Sequence, residues 1–582
     1  MVVVVVENCA KEIEIPARGD VFNDVIALLK KYGGRFDPSA KVWRFGALPS
    51  ALVNELARFI DIKDVGDCIA DAVLVGNYYL VPSQLAGRVN YDALKYTVRK
   101  YDPDEKEFYE EEVKLWVTKE DGSVLVPRGL AKSALPSMRF QLFAPWLDPK
   151  KVIEKAVETG GFRDYQAEVI GSMADDFKVV GASTVWMATG GGKSYMSAGL
   201  IKVLQSLYPN KIKKVYYLSM SIDLALQFRE FAEKWGLKVG VVTGEEKDWS
   251  KSIVAATAQT LYRAITAVLN EKNGNDEDVD AEIKPYLDVV ELDKKEMLDL
   301  AGDYEKADLV IIDEVQHLPA RTVKTVAKFN KRAIRLAMSA TPWRNDGKDL
   351  EIYAWAGEIT RRKVTSSELI KRGYLVPAYI FMWKRYMRDE CVETYYSMKG
   401  TDATGAQRFS AVKRCVFDDP DRDADIIEVA EALPKPLLLL TKEVEPAKRL
   451  HKQLLKNGLK AELVIGAVRG EKRRAIFDRV EKLDVLVADT VADEGLDLPP
   501  IMSLLITGGG MSKTRTLQRV GRVVRPWKDK KYAIVVDLWD LGPYFEDHGE
   551  ERLNLYKTEP LWKVFITNTE ELFQKLNGLL RS

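Results

Sequence analysis

The stretch that most limits what this chain can fold into is Met187-Ala188-Thr189-Gly190-Gly191-Gly192-Lys193-Ser194, which follows an apolar run and precedes a helical one. Strand, glycine-rich loop and helix in that order are the context of a phosphate-binding loop. Glycines at 190–192 let backbone N–H groups turn inward around an anion, and a helix starting near Lys193 adds its positive end. Thr189, Gly190, Gly191 and Gly192 then form the cradle, Lys193 reaches the β- and γ-phosphates, and Ser194 is a ligand for Mg²⁺. The general pattern opens with Gly five places before Gly192, where this chain has Met187. A glycine-rich turn with a chance Lys-Ser is the bland alternative, and the rest of the chain argues against it.

Such a loop belongs at the end of a parallel strand buried on both faces, and the flanking sequence has the matching pattern. Apolar runs of four to six residues alternate with helical stretches at Thr184 to Ala188, Val215 to Ser219, Ile253 to Thr257, Leu309 to Ile312 and Ile334 to Met338. A second series follows at Pro436 to Leu440, Ala461 to Ile465, Val485 to Ala488, Ser503 to Thr507 and Tyr532 to Asp537. A chain of 582 residues exceeds one core, so several domains are expected. The reading is an α/β protein with two tandem parallel-sheet domains, 151–360 and 421–545, and a small α+β domain at 1–64. An accessory region lies at 65–150, a connecting or thumb-like segment at 361–420, and a helical tail at 546–582. Asn270 to Asp280 reads as a polar surface insertion, and the charge run from Asp102 to Lys114 as a solvated face.

Leu309-Val310-Ile311-Ile312-Asp313-Glu314-Val315-Gln316-His317 is an apolar strand ending in two carboxylates, at the end where a parallel sheet presents its ligands. Asp313 is placed to hold Mg²⁺ and Glu314 to orient and deprotonate water. An acidic helix start would have the same composition; pairing with the phosphate loop favours the catalytic reading. In Gln518-Arg519-Val520-Gly521-Arg522-Val523-Val524-Arg525, Arg522 and Arg525 share a helix face and suit a γ-phosphate, because a guanidinium fork neutralises developing charge geometrically. ATP and Mg²⁺ are therefore the expected small molecules.

Cys9, Cys68, Cys391 and Cys415 are scattered, so neither a zinc site nor a disulfide framework is expected, and the thiols fit a reducing cytosol. Val2 to Val6 is too short for a membrane span and reads as a buried strand. A cytoplasmic location with no membrane partner is expected. The zero net charge argues mildly against nucleic acid as a partner but permits a locally basic groove. The N-terminal stretch reads as a helix over Val21 to Tyr32, a hairpin turning at Asp37-Pro38-Ser39, and a helix around Ser50 to Ile60.

Taken in order, these motifs resemble a superfamily 2 helicase or translocase over residues 160–545. Phe162-Arg163-Asp164-Tyr165-Gln166 resembles the adenine-reading motif, which gives Arg163 and Gln166 to the nucleotide. Leu218 to Phe228 resembles motif Ia. Ala256-Thr257-Ala258-Gln259-Thr260 resembles a backbone-contacting motif, which gives Thr257 and Gln259 to the nucleic acid. Ser339-Ala340-Thr341-Pro342 resembles motif III; with His317 and Gln518, Ser339 and Thr341 are the implied coupling residues. Asp489 to Pro499 resembles motif V, with Gly495 and Asp497 toward the nucleotide and Thr490 on a phosphate of the strand. The implied fold is two RecA-like domains.

Within the superfamily, Met187, Arg163-Asp164-Tyr165-Gln166 and Leu369 to Pro377 are similar to the XPB, UvsW and restriction-translocase group. Arg344-Asn345-Asp346 stands where XPB-like proteins carry Arg-Glu-Asp. The N-terminal unit resembles the damage-recognition domain of XPB and UvsW proteins and the HARP domain of annealing helicases. That likeness implies phosphate contacts from Arg35, Lys41 and Arg44, with Trp43 in the core or stacking. The implied partner is branched, forked or duplex DNA with single-stranded regions, rather than RNA. The rival readings are the motor subunit of a restriction system with a nuclease partner, an RNA helicase, and a nucleotide-gated clamp without turnover.

Overall fold

A computed structural model describes residues 2–7, 11–15, 20–57, 69–102, 107–244, 246–273, 292–344, 346–399, 401–466, 468, 470–489, 498–508, 510 and 513–581. The chain divides into two compact units, Met1–Met187 with Lys193–Lys363 and Ala188–Gly192 with Val364–Ser582.

The first unit opens with a four-stranded sheet in the order Lys11–Ile15, Val2–Val6, Val42–Phe45, Arg35–Asp37. Val2–Val6 buries alternate residues and pairs in parallel with Val42–Phe45, which sets Val4 and Val6 against Val25, Leu29 and Leu52 of the helices Asp20–Lys31 and Ser50–Leu56. The Asp37 carboxylate fixes the expected hairpin turn by accepting the N–H of Ser39 at 3.0 Å and of Ala40 at 3.2 Å. Trp43 is buried 5.5 Å from the Phe36 ring and serves the core. Residues 58–60 of the second expected helix lie outside the described residues.

Most of the buried apolar residues of 69–147 join the core of the sheet that follows; Ala70, Val73 and Leu80 form a small separate cluster with Ala47. The antiparallel sheet of this region, ordered Val117–Thr118, Val124–Pro127, Tyr78–Val81, Val73–Val75, buries Tyr79, Val81, Val124 and Val126 in the same cluster as Leu218, Val310 and Ala337. Of the charge run, Glu107–Lys114 pairs antiparallel with Lys95–Asp102, and residues 103–106 lie outside the described residues.

The first RecA-like sheet has six parallel strands in the order Ala182–Trp186, Ile334–Ser339, Leu309–Asp313, Val215–Ser219, Ile253–Thr257, Val239–Val242. Nearly every residue in them is buried, because helices cover both faces. Of the expected polar insertion, residues 274–280 lie outside the described residues.

The second unit carries seven parallel strands in the order Ala461–Val464, Val485–Ala488, Leu437–Leu440, Ser503–Ile506, Ala533–Leu541, Ala378–Tyr386, Lys563–Thr567. Ala378–Tyr386 comes from the stretch read as a connector. Lys563–Thr567 comes from the tail read as helical; there it stands between helices Phe545–Tyr556 and Thr569–Arg581. The absence of a disulfide is also corrected. Helices Asp389–Lys399 and Gly405–Phe417 bring Cys391 and Cys415 to a Cα separation of 5.5 Å, where they are bonded. Among the described residues no helix is long and apolar enough to cross a membrane.

Candidate functional site

The phosphate loop starts where the strand Ala182–Trp186 ends. Gly190 and Gly192 adopt φ of +82° and +77°, a region a side chain disfavours. Helix Lys193–Leu207 begins immediately after them. Met187 replaces the expected glycine without penalty, because its side chain is fully buried and only its backbone serves the site. Its N–H donates to Ser339 O at 3.1 Å, and its carbonyl accepts Lys193 Nζ at 3.3 Å.

Asp313 ends the strand Leu309–Asp313 and is 4% exposed. Ser194 Oγ donates to its Oδ2 at 3.3 Å, and the Tyr217 hydroxyl donates to the same oxygen. Tyr217 is held flat against Phe228, with ring centroids 3.8 Å apart. Burial, and then the neighbouring Glu314, push the Asp313 carboxyl above the ordinary range, while Lys193 and the Tyr217 hydroxyl pull it back. Burial, then Asp313, push Tyr217 up, so it remains a neutral donor. A buried carboxylate disfavoured as an anion, with the Ser194 hydroxyl beside it, is a donor set that fits Mg²⁺. That ion takes one or two protein oxygens and completes its shell with phosphates and water. Among the described residues no cluster of three His, Cys, Asp or Glu competes for a metal.

Glu314 adopts φ +49° and ψ +56°, which is unusual for a residue with a side chain. Gln316 Nε2 donates to Glu314 Oε2 at 2.9 Å. Gln316 Oε1 accepts Ser339 Oγ at 2.6 Å, and Ser339 Oγ accepts the Thr341 N–H at 2.9 Å. Arg344 Nη1 donates to Gln316 O at 2.8 Å and clamps Asp346 with two bonds of 2.8 and 2.7 Å. One amide therefore joins the acidic pair to the Ser-Ala-Thr segment. The link runs through Gln316 and not through His317, the expected coupling residue; its signal in the sequence is a polar residue that a strand-to-helix turn must bury. The His317 N–H donates to Glu314 O at 3.1 Å, and its carbonyl accepts the Ala320 N–H at 3.0 Å.

The structure brings together Lys193, Ser194, Asp313, Glu314, Ser339 and Thr341, all in the first unit. Gln166 is 1% exposed, and its Oε1 accepts the Arg163 N–H at 2.9 Å, capping helix Asp164–Val179. Arg163 Nη1 donates to the Tyr165 hydroxyl at 3.0 Å. Thr257 is buried and shares a hydrogen bond with Thr260 at 2.8 Å; Gln259 Nε2 donates to Met220 O at 3.3 Å. In the second unit, Gln518 and Arg522 lie on helix Lys513–Val523, with Arg522 buried and Arg525 just beyond the helix. Arg35 and Lys41 are exposed in the N-terminal hairpin, and Arg44 Nε pairs with Asp37 Oδ2 at 3.0 Å. Thr490, Gly495, Asp497 and Asn345 lie outside the described residues.

Two family profiles match the chain: "Type III restriction enzyme, res subunit" over residues 159–344 and "Helicase conserved C-terminal domain" over 425–526. The chain is 28% identical over 551 residues to "Putative helicase 22" of Sulfolobus islandicus filamentous virus, covering 90% of this chain and 92% of that one. It is 23% identical over 428 residues to the "DNA 3'-5' translocase XPB2" of Sulfurisphaera tokodaii, covering 68% and 84%. Among solved structures, the ATP-dependent Type ISP restriction-modification enzyme LlaBIII bound to DNA superposes with a TM-score of 0.47 at 16% identity, over 72% of this chain and 32% of that one.

Proposed function

We propose that this chain, a superfamily 2 helicase or translocase by its two matched domains, hydrolyses ATP to move on or remodel branched or duplex DNA. The observation that carries the reading is the unbroken polar route from Ser194 and Asp313, through Glu314 and Gln316, to Ser339 and Thr341. A nucleotidase that did no work elsewhere would have no use for a partly buried polar link leading away from its phosphate end.

Lys193 neutralises the terminal phosphates. Glu314 accepts a proton from water as the water oxygen bonds to the γ-phosphorus. The bond to the β–γ bridging oxygen breaks, and its electron pair leaves with ADP. Ser194 and Asp313 hold Mg²⁺, which when bound neutralises charge on the phosphate oxygens. Arg522 and Arg525 are the proposed arginines for the γ-phosphate, and Arg163, Gln166, Gly495 and Asp497 the proposed nucleotide contacts. Gln316 fixes the direction of the Glu314 carboxylate, so a shift at the phosphates reaches Ser339 and Thr341. Thr257, Gln259 and Thr490 are the proposed contacts to the strand, with Arg35, Lys41 and Arg44 added by the N-terminal unit. Phosphate contacts of this kind make binding salt-sensitive and largely independent of sequence.

ATP hydrolysis measured with single-stranded, duplex and forked DNA and with RNA tests the proposal, with Lys193→Ala as control. Stimulation by forked or duplex DNA that is lost in Lys193→Ala is expected. Stimulation by RNA alone would move the assignment to an RNA helicase, and no stimulation would refute the motor. The profile match over 159–344 favours a second reading, the motor of a restriction system. Incubation of supercoiled plasmid with protein, ATP and Mg²⁺ separates the two. Intact plasmid is expected here, and ATP-dependent linearisation would favour the restriction reading.

A further inference from the structure

At the amino-terminal edge of the six-stranded sheet, the small N-terminal unit and the 69–147 region enclose a cleft of about 920 Å³. Asp308, Lys331 and Arg332 reach it from just before the strands Leu309–Asp313 and Ile334–Ser339. Asp313 stands at the other end of the same strand, roughly 17 Å away for five residues at about 3.3 Å each. The cleft is therefore separate from the phosphate loop.

Five cations line it: Arg35 and Arg44 from the N-terminal unit, and Lys211, Lys331 and Arg332 from the sheet edge. Glu7 and Asp308 are the two carboxylates among the lining residues. Asp308 is already engaged, by Arg332 Nη2 at 2.5 Å and by the N–H groups of Lys213 and Lys214 at 2.9 and 3.0 Å. Arg35, Lys211 and Lys331 make no ion pair among the described residues.

Behind the wall lies a second, independent source of positive charge. Arg128 and Arg335 are 0% and 1% exposed, and among the described residues neither pairs with a carboxylate. Arg128 Nη2 donates to Ala333 O at 2.5 Å; Arg335 donates to Trp355 O at 2.8 Å and to Asn77 Oδ1 at 2.6 Å. Arg128 Nε and Nη1 and Arg335 Nε have no hydrogen-bond partner among the described residues. Both cations touch the cleft wall, Arg335 through Asn77 and Arg128 through the Phe143 ring, 4.3 Å from its guanidinium carbon. Two desolvated guanidiniums without counter-charge raise the potential of the wall in front of them. Half-buried Tyr78, Phe143 and Trp146 add aromatic faces to that wall.

We propose that this cleft is a second nucleic-acid site, which takes a single-stranded segment of the substrate by its phosphates and bases at the sheet edge opposite the nucleotide. The assignment rests on the nucleic-acid motor reading above. Cations spread along a groove with aromatic faces between them bind single strands without sequence preference. A compact phosphate pocket would instead gather its donors at one point.

The test is binding of a labelled single-stranded oligodeoxynucleotide to the full chain, followed by fluorescence anisotropy over a salt series. In Arg35→Ala/Lys211→Ala/Lys331→Ala, three lost phosphate contacts lower the slope of log K against log salt by about 2 and weaken binding about tenfold or more at moderate salt. The charge-preserving Lys211→Arg/Lys331→Arg variant keeps the wild-type slope. A triple variant with the wild-type slope and affinity overturns the proposal. Full displacement of the oligonucleotide by inorganic phosphate at an equal concentration of phosphate groups also overturns it, since that marks a small-anion pocket. If ATP hydrolysis by the wild type ignores every nucleic acid while the triple variant still loses oligonucleotide affinity, the motor reading fails and the cleft stands.

Discussion

Replacing Gln316 by alanine cuts the link between the acidic pair and the Ser-Ala-Thr segment while leaving the phosphate loop untouched. Two bonds disappear, one to the Glu314 carboxylate at 2.9 Å and one from Ser339 at 2.6 Å. Ser339 is fully buried, so its hydroxyl is left without an acceptor, which costs about 1–3 kcal/mol. The bond to an ionised carboxylate contributes about 1.5–3 kcal/mol. A loss of about 2.5–6 kcal/mol in the first unit follows, and Tm falls by about 5 °C or more. The effect on turnover is larger in proportion, because general-base catalysis is worth about 10²–10⁴ in rate and depends on where the carboxylate points. A fall in nucleic-acid-stimulated kcat of about 10–100-fold is expected, with KM for ATP unchanged, since Gln316 makes no contact with Lys193 or Ser194. Gln316→Glu keeps an acceptor for Ser339 but cannot donate to Glu314, so it retains more of the stability and loses the turnover. Coupled-enzyme ATPase assays and thermal denaturation read both quantities. A Gln316→Ala protein with wild-type stimulated kcat would refute the linkage, whatever its Tm.

Tyr217→Phe removes a donor from Asp313 while keeping the stack on Phe228; the Mg²⁺ concentration for half-maximal ATPase rises about tenfold, read by Mg²⁺ titration. Burial raises the Asp313 carboxyl in the folded chain without nucleotide, so above about pH 3.9 it keeps its proton over a range in which the unfolded chain has lost it. That stabilisation is full below about pH 3.9 and is lost as pH rises through the raised value. Asp313→Asn therefore raises the Tm of the nucleotide-free protein at neutral pH and abolishes turnover. A scanning-fluorimetry series in which Asp313→Asn is less stable than wild type at pH 7 would contradict the assignment of burial as the cause. Lys193→Ala leaves the fold intact, because among the described residues its amino group hydrogen-bonds only to the Met187 carbonyl, and lowers ATPase to background in the same assay.

The central strands of both RecA-like sheets were legible because a parallel strand buried on both faces reads as an unbroken apolar run. The strands that escaped notice at Lys11–Ile15, Val239–Val242 and Lys563–Thr567 are all at sheet edges. An edge strand is short or exposes one face, and Lys-Glu-Ile-Glu-Ile carries the charges that keep such an edge from pairing with another chain. Ala378–Tyr386 was hidden for another reason. Its nine residues end in Lys384, Arg385 and Tyr386, so the apolar run blurs into a polar stretch. At the candidate site, the convergence of Ser194, Asp313 and Glu314 beside Lys193 was legible from spacing, because phosphate chemistry limits the residue types a site of this kind can use. Gln316 and Tyr217 were not, since each acts by meeting a residue distant in sequence or across a turn. Gln166 has become a helix cap as well as a proposed base contact, a double role that spacing does not reveal. The bond between Cys391 and Cys415 spans 24 residues and follows from helix packing that no Cys spacing announces.

Displacement of a third strand from a triplex-bearing duplex asks most directly whether hydrolysis is turned into movement on DNA. Wild-type protein is predicted to release the third strand with ATP and to leave it in place without ATP. Glu314→Gln is predicted to bind the duplex with wild-type affinity and release nothing. Robust DNA-stimulated hydrolysis by the wild type with the third strand retained, on duplex and on forked substrates alike, would contradict a motor and leave a nucleotide-gated clamp.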